Sequence, residues 1–138
     1  MEGGGRIIPC AYDIPNFYFS VKPVFTNTVC TDTYRGAGRP EANHLMERLM
    51  DKAAEAFGVT RDEIRRRNFI REHQFPYTTH LGFVIDSGDF EGTMKMAMDG
   101  AKWSSFAERR KASEAKGKLR GIGLAFFIEG AGSRPLEG

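Results

Sequence analysis

The chain has 138 residues, 41% of them hydrophobic, with 20 basic and 18 acidic side chains and a formal charge of +2; that length suits one domain with a modest core, not separate substrate and dinucleotide domains. So even a balance makes no general case for nucleic acid or an anionic membrane surface, and the longest apolar runs, such as residues 122–128 with their internal Gly123, fall far short of a membrane span. Cys10 and Cys30 are too few for a disulfide framework or a zinc knuckle, and His44, His73 and His80 share no ligand spacing, so no metal is assigned to the side chains of this sequence.

Residues 1–10 read as a flexible leader. Residues 1–5 lack the apolar and basic regions of a secretory signal, which places the chain in the cytoplasm. Over residues 16–28, Phe17, Phe19 and Val21 share one parity and Tyr18, Ser20 and Lys22 the other, the alternation of a strand with one buried face; Pro23 makes it an edge or a bulge. Residues 27–33 are polar and loop-like. They deliver the chain to residues 34–41, which read Tyr-Arg-Gly-Ala-Gly-Arg-Pro-Glu.

That stretch is a loop opening a helix. Gly36 and Gly38 allow positive φ and close approach to the main chain. Pro40 suits the first helical position, and Glu41 the positive end of the helix dipole. Outward N–H groups flanked by Arg35 and Arg39 form a site for anionic or polarised oxygen. A glycine turn with two solvated arginines fits the same spacing.

From residue 41 to residue 57, Leu45, Met46, Leu49, Met50, Ala53 and Phe57 predict one core-facing stripe along a helix. Gly58 supplies its C′ turn, and Thr60 with Glu63 a capping box for a short helix to about Arg67. The run Arg65, Arg66, Arg67 is read as solvated or paired with carboxylates rather than as a phosphate clamp. Residues 75–79, Phe-Pro-Tyr-Thr-Thr, form an extended brace, and residues 81–86 a short strand. Residues 86–89 cap a helix from Phe90 that carries Met94, Ala97 and Met98 on one face. Ala101, Trp103, Phe106 and Ala107 continue it or begin another helix. The charged residues 108–118 suit a solvated helix end, and Glu108 and Glu114 interrupt any basic patch. Residues 121–128 are apolar on both parities, as a strand covered on two faces would be. Residues 133–138 read as a tail, and the chain as a piece of a longer polypeptide.

Five stretches in register carry a resemblance. They are Tyr-Arg-Gly-Ala-Gly-Arg-Pro-Glu-Ala (34–42), Glu-Arg-Leu-Met-Asp (47–51), Arg-Arg-Arg-Asn-Phe-Ile (65–70), Phe-Pro-Tyr-Thr-Thr (75–79) and Asp-Ser-Gly-Asp-Phe (86–90). In order and spacing they resemble the molybdopterin-binding region in the large subunit of molybdenum hydroxylases, the group of xanthine dehydrogenase, aldehyde oxidase and aerobic carbon monoxide dehydrogenase. The resemblance implies an α+β fold of amphipathic helices on a small sheet, with residues 11–132 as part of a larger molybdopterin-binding domain. It implies an oxidoreductase that hydroxylates aldehyde-like or heterocyclic substrates with water-derived oxygen. The cofactor is then molybdopterin in its cytosine dinucleotide form, held near Tyr34, Arg35, Gly36, Ala37, Gly38 and Arg39. The implied partners are the rest of the large subunit, an iron–sulfur small subunit and an FAD medium subunit, with no nucleic acid and no membrane span.

Gly36 stands where the copper-binding cysteine of true carbon monoxide dehydrogenases is expected, and Ala37 where xanthine and aldehyde enzymes place an aromatic residue. The family's base glutamate has no counterpart among these residues, since Glu129 and Glu137 stand in other surroundings. The resemblance therefore implies that the 138 residues alone are catalytically silent. The alternative is a small non-catalytic interaction domain that uses the apolar stretch 122–128 to join a partner.

Overall fold

The computed structural model describes residue 5, residues 7–30, residue 32 and residues 34–129. In order these form helix α1 (Arg39–Phe57), helix α2 (Arg61–Asn68), a 3-10 turn (Glu72–Gln74), strands β1 (Tyr77–Thr78) and β2 (Val84–Ile85), helix α3 (Phe90–Gly100), a second 3-10 turn (Trp103–Ser105) and helix α4 (Phe106–Glu114). The strands pair antiparallel, Tyr77 opposite Ile85 and Thr78 opposite Val84. This is the α+β arrangement expected, helix-dominated and with a two-stranded sheet.

The expected termini of α1 and α2 hold to within a residue or two. Gly58, at φ +65°, donates back to the carbonyls of Ala54 and Glu55, and the Thr60 hydroxyl accepts from the Glu63 N–H. Asp89 caps α3 by accepting from the Gly92 N–H at 2.7 Å.

α1 buries a different face from the one predicted. Ala42, Asn43, Met46, Glu47, Met50 and Ala54 point inward, whereas Leu45, Leu49 and Phe57 are exposed. Two apolar stripes lie side by side on this helix, and hydrophobicity alone ranked the wrong neighbours of Met46 and Met50. What pulls Glu47 inside is Arg65, which is wholly buried. Its Nε and Nη2 donate to Glu47 Oε2 at 2.9 and 2.7 Å, and Nη2 also reaches Asp51 Oδ1 at 3.1 Å. The Tyr12 hydroxyl donates to the other Glu47 oxygen at 2.5 Å. Arg66 and Arg67 pair with Glu63, so the arginine run is carboxylate-bound, as expected.

Residues 7–12 depart from the loose leader predicted for residues 1–10. Ile7, Ile8, Cys10, Ala11 and Tyr12 are buried. The Asp13 N–H donates to Asn68 O and the Ile70 N–H to Ala11 O, clamping this segment against the end of α2. The main core joins Cys10, Ala11 and Tyr12 to Met46, Met50, Ala54, Ile64, Phe69 and Met94. Phe69 is its hub, stacked on Tyr12 at 5.6 Å between centroids and touching Phe126 at 4.8 Å and Phe90 at 6.0 Å. The 75–79 brace ties back through the Tyr77 hydroxyl, which donates to Asp13 at 2.9 Å, and through Phe75 on the edge of Phe90.

Two predicted strands are absent. Residues 16–28 form no ladder among the described residues and leave Tyr18, Val24 and Phe25 exposed. Alternation shows that a segment has a coverable face, and a strand also needs a neighbouring backbone to bond. Residues 121–129 are likewise unladdered. Leu124, Phe126 and Ile128 pack on the core while Phe127 faces out, so one parity is covered and not two. Residues 1–4 and 6 of the expected leader, and the expected tail 133–138, lie outside the described residues.

Burial pushes the Cys10 thiol up to about 12 from its ordinary 9.0. The folded chain keeps a proton that the unfolded chain releases above pH 9. The resulting stability is whole below pH 9 and drains away as pH rises towards 12. Tyr12 and Tyr77 are shifted upward as well, by burial first and then by their carboxylate partners Glu47 and Asp13. The urea midpoint is expected to fall between pH 9 and pH 11, less steeply in Cys10→Ala. Equal slopes in the two proteins would contradict the buried thiol.

Candidate functional site

The glycine loop is built by three successive left-handed residues: Gly36 at φ +95°, Ala37 at +46° and Gly38 at +90°. Ala37 N–H donates to Tyr34 O at 2.8 Å, Arg39 N–H to Gly36 O at 3.0 Å and Ala42 N–H to Gly38 O at 3.1 Å. These bonds wind the turn into α1, which begins at Arg39, so Pro40 is its second residue and not its first. The amides of Gly36 and Gly38 make no hydrogen bond among the described residues. No side chain caps the helix, whose Arg39 N–H is bonded within the turn and whose Pro40 has no N–H to offer.

Tyr34 and Arg35 are exposed, and Arg35 has no ion-pair partner among the described residues. Arg39 is different, because its Nη1 is bonded to Glu129 Oε1. All six predicted residues thus lie on one outward turn, but its two arginines are not equivalent. The sequence offered no sign of the Glu129 contact, which spans 90 positions.

Gly36 has a structural reason to lack a side chain, since a Cβ there would lie 2.6 Å from both Cδ and Cγ of Pro40. A cleft of about 500 Å³ lies elsewhere, between the second half of α1, residues 59–62 and Trp103. Its charged lining is already paired, Arg48 with Asp51 and Lys52 with Glu55, both at 3.2 Å. The glycine loop is therefore the better candidate. Among the described residues no cluster of His, Cys, Asp or Glu is arranged to hold a metal ion, and no helix is long and apolar enough to cross a membrane.

The molybdopterin cofactor-binding domain family matches residues 1–69, half of the chain and inclusive of the whole loop. The chain belongs to this family. The carbon monoxide dehydrogenase large chain of Hydrogenophaga pseudoflava is 41% identical over 132 residues, which cover 92% of this chain and 16% of that one. The 6-hydroxypseudooxynicotine dehydrogenase complex subunit gamma of Paenarthrobacter nicotinovorans is 32% identical over 126 residues, covering 88% of this chain and 16% of the relative. Among solved structures, quinoline 2-oxidoreductase from Pseudomonas putida 86 superposes with a TM-score of 0.67 at 26% identity, over 84% of this chain and 15% of its own. This molybdopterin cofactor-binding family member thus spans about one sixth of the length of the curated relatives it matches. The resemblance carried by the five stretches holds, and with it the molybdopterin assignment.

The loop's donors suit that cofactor class. Two unbonded amides, a helix start and an exposed guanidinium all point to an acceptor rich in anionic oxygen.

Proposed function

We propose that this chain is part of the molybdenum-binding large subunit of an oxidoreductase that hydroxylates aldehyde-like or heterocyclic substrates with water-derived oxygen. The observation that carries this reading is the outward turn at residues 34–39, with the Gly36 and Gly38 amides unbonded and Arg35 exposed, inside a chain of the molybdopterin family. Its relatives include dehydrogenases, a nicotine 6-hydroxylase large subunit and a putative xanthine dehydrogenase molybdenum-binding subunit.

When bound, the molybdenum cofactor, here in its cytosine dinucleotide form, supplies the oxygen-transfer and two-electron chemistry. This chain's own part is electrostatic and positional. The Gly36 and Gly38 amides, fixed by the turn, and the Arg35 guanidinium would donate hydrogen bonds to anionic oxygen of the bound group. Ala37 presents only a methyl group, which leaves room for a ring-sized substrate. Gly36 argues against carbon monoxide as the substrate, because it offers no sulfur for copper and has no space for a side chain. A base, an iron–sulfur subunit and an FAD subunit complete the proposed cytoplasmic enzyme.

The test is metal analysis of the full-length protein that carries this segment. Arg35→Met is expected to lower molybdenum affinity by tenfold or more, the loss of one charge-assisted contact of about 1.5–3 kcal/mol, with melting temperature unchanged. Full molybdenum occupancy and full activity in that variant would sink the assignment of the loop.

A further inference from the structure

Residues 16–26 run without a turn or a bend, and none of their backbone N–H or C=O groups is hydrogen-bonded among the described residues. Their side chains nonetheless sort by parity. Phe17, Phe19, Val21, Pro23 and Phe25 form one wholly apolar face of an extended chain, and Tyr18, Ser20, Lys22, Val24 and Thr26 a more polar one. Coverage stops at the head of the apolar face. Phe17 packs on the cluster of Ile7, Ile8 and Ala42 and stacks on Phe19 at 6.4 Å between centroids, whereas Val21 and Phe25 are exposed. Folded proteins avoid a bare apolar strand edge of this kind. These residues span 16% of the length of the relatives above, so most of the polypeptide that could cover the face lies outside them. The backbone edges alternate too, because even-numbered residues turn N–H and C=O to one side and odd-numbered residues to the other. Pro23 removes a donor from the odd edge alone.

We propose that residues 17–26 are an edge strand that pairs, along its even-numbered side, with a strand from the part of the large subunit outside residues 1–138; this rests on the reading of the chain as a piece of that subunit. The even side keeps all its donors, at Tyr18, Ser20, Lys22, Val24 and Thr26. A helix laid on the segment could cover the apolar face but would bury those donors unanswered, which is why the occupant is a strand. The face from Phe17 to Phe25 sets the register, since a slip of one residue would turn Lys22 inward and the phenylalanines out. The strand runs on through residues 27–33 into the glycine loop, so the ladder holds the upstream end of that loop as α1 holds the downstream end.

The test is hydrogen exchange in the full-length protein that carries this segment, read residue by residue by electron-transfer fragmentation and mass spectrometry. A second sample carries the photo-crosslinker p-benzoylphenylalanine in place of Phe25. The amides of Tyr18, Ser20, Lys22, Val24 and Thr26 are expected to exchange at least about a hundredfold more slowly than those of Phe19, Val21 and Phe25. The crosslink is expected to fall on the same polypeptide, outside residues 1–138. Fast exchange throughout the segment overturns the proposal, and so does equal protection on both parities, which would mean a strand flanked on two sides. A crosslink to a second copy, to another subunit or within residues 1–138 overturns the occupant named here. Molybdenum content of the same protein separates this idea from the cofactor reading. Loaded protein with fast even-numbered amides loses only the ladder, whereas slow even-numbered amides in a protein that takes up no molybdenum count against the cofactor and leave the ladder standing.

Discussion

Arg65→Met is expected to cost about 3–5 kcal/mol of folding stability, the loss typical of removing one partner from a buried ion pair. Arg65 is fully buried, and its guanidinium serves Glu47 Oε2, the Glu47 carbonyl, Asp51 Oδ1 and the Arg61 carbonyl. Burial works against its charge, and the Glu47 carboxylate more than offsets this, holding the guanidinium above its ordinary value. Without Arg65, Glu47 stays inside the core as an anion whose remaining side-chain contact is the Tyr12 hydroxyl. Glu47→Leu/Arg65→Met removes both charges and is expected to lose less than the two single variants summed. Urea denaturation reads all three. A loss below about 1 kcal/mol for Arg65→Met would place the pair in the class of solvated surface bridges and refute its description as a core element.

Gly36→Ala is expected to strip the cofactor from the full-length protein, with molybdenum content falling at least about tenfold, and to cost about 1–3 kcal/mol locally. The new Cβ would lie 2.6 Å from two ring carbons of Pro40, and φ at +95° is already a conformation that side chains resist. Relief requires either moving Pro40, which shifts the start of α1, or flattening the turn, which redirects the two unbonded amides. Gly121→Ala is the matched control, since a Cβ there meets nothing within 4 Å. It is expected to keep its molybdenum. Retention of full molybdenum in Gly36→Ala would show that the turn's shape does not matter to binding. A cysteine at this position meets the same obstruction, so turning the loop towards copper would need Pro40 changed too.

The local chemistry of the chain was legible from its residues. Gly58 and Thr60 mark the corner between the first two helices because caps are written in adjacent residues. The loop with its glycines was legible for the same reason, as was Asp89 at the head of α3. What stayed hidden depends on distant partners. Glu47 looks like a surface residue until Arg65 and Tyr12 are seen to meet it, and Glu129 looks like part of a tail until Arg39 reaches it. The alternation in residues 16–28 is real, but no described backbone pairs with it, and an unpaired segment is not a strand. The turn that carries the six candidate residues was foreseen. The asymmetry between Arg35 and Arg39 was not.

Phe69 gathers rings from both ends of the chain, Tyr12 from before it and Phe126 from well after. On the ribosome, a nascent chain released only as far as Phe69 therefore holds an aromatic platform with one side still bare. The central cluster closes only after residue 126 has left the exit tunnel, so this core forms late in the translation of the region.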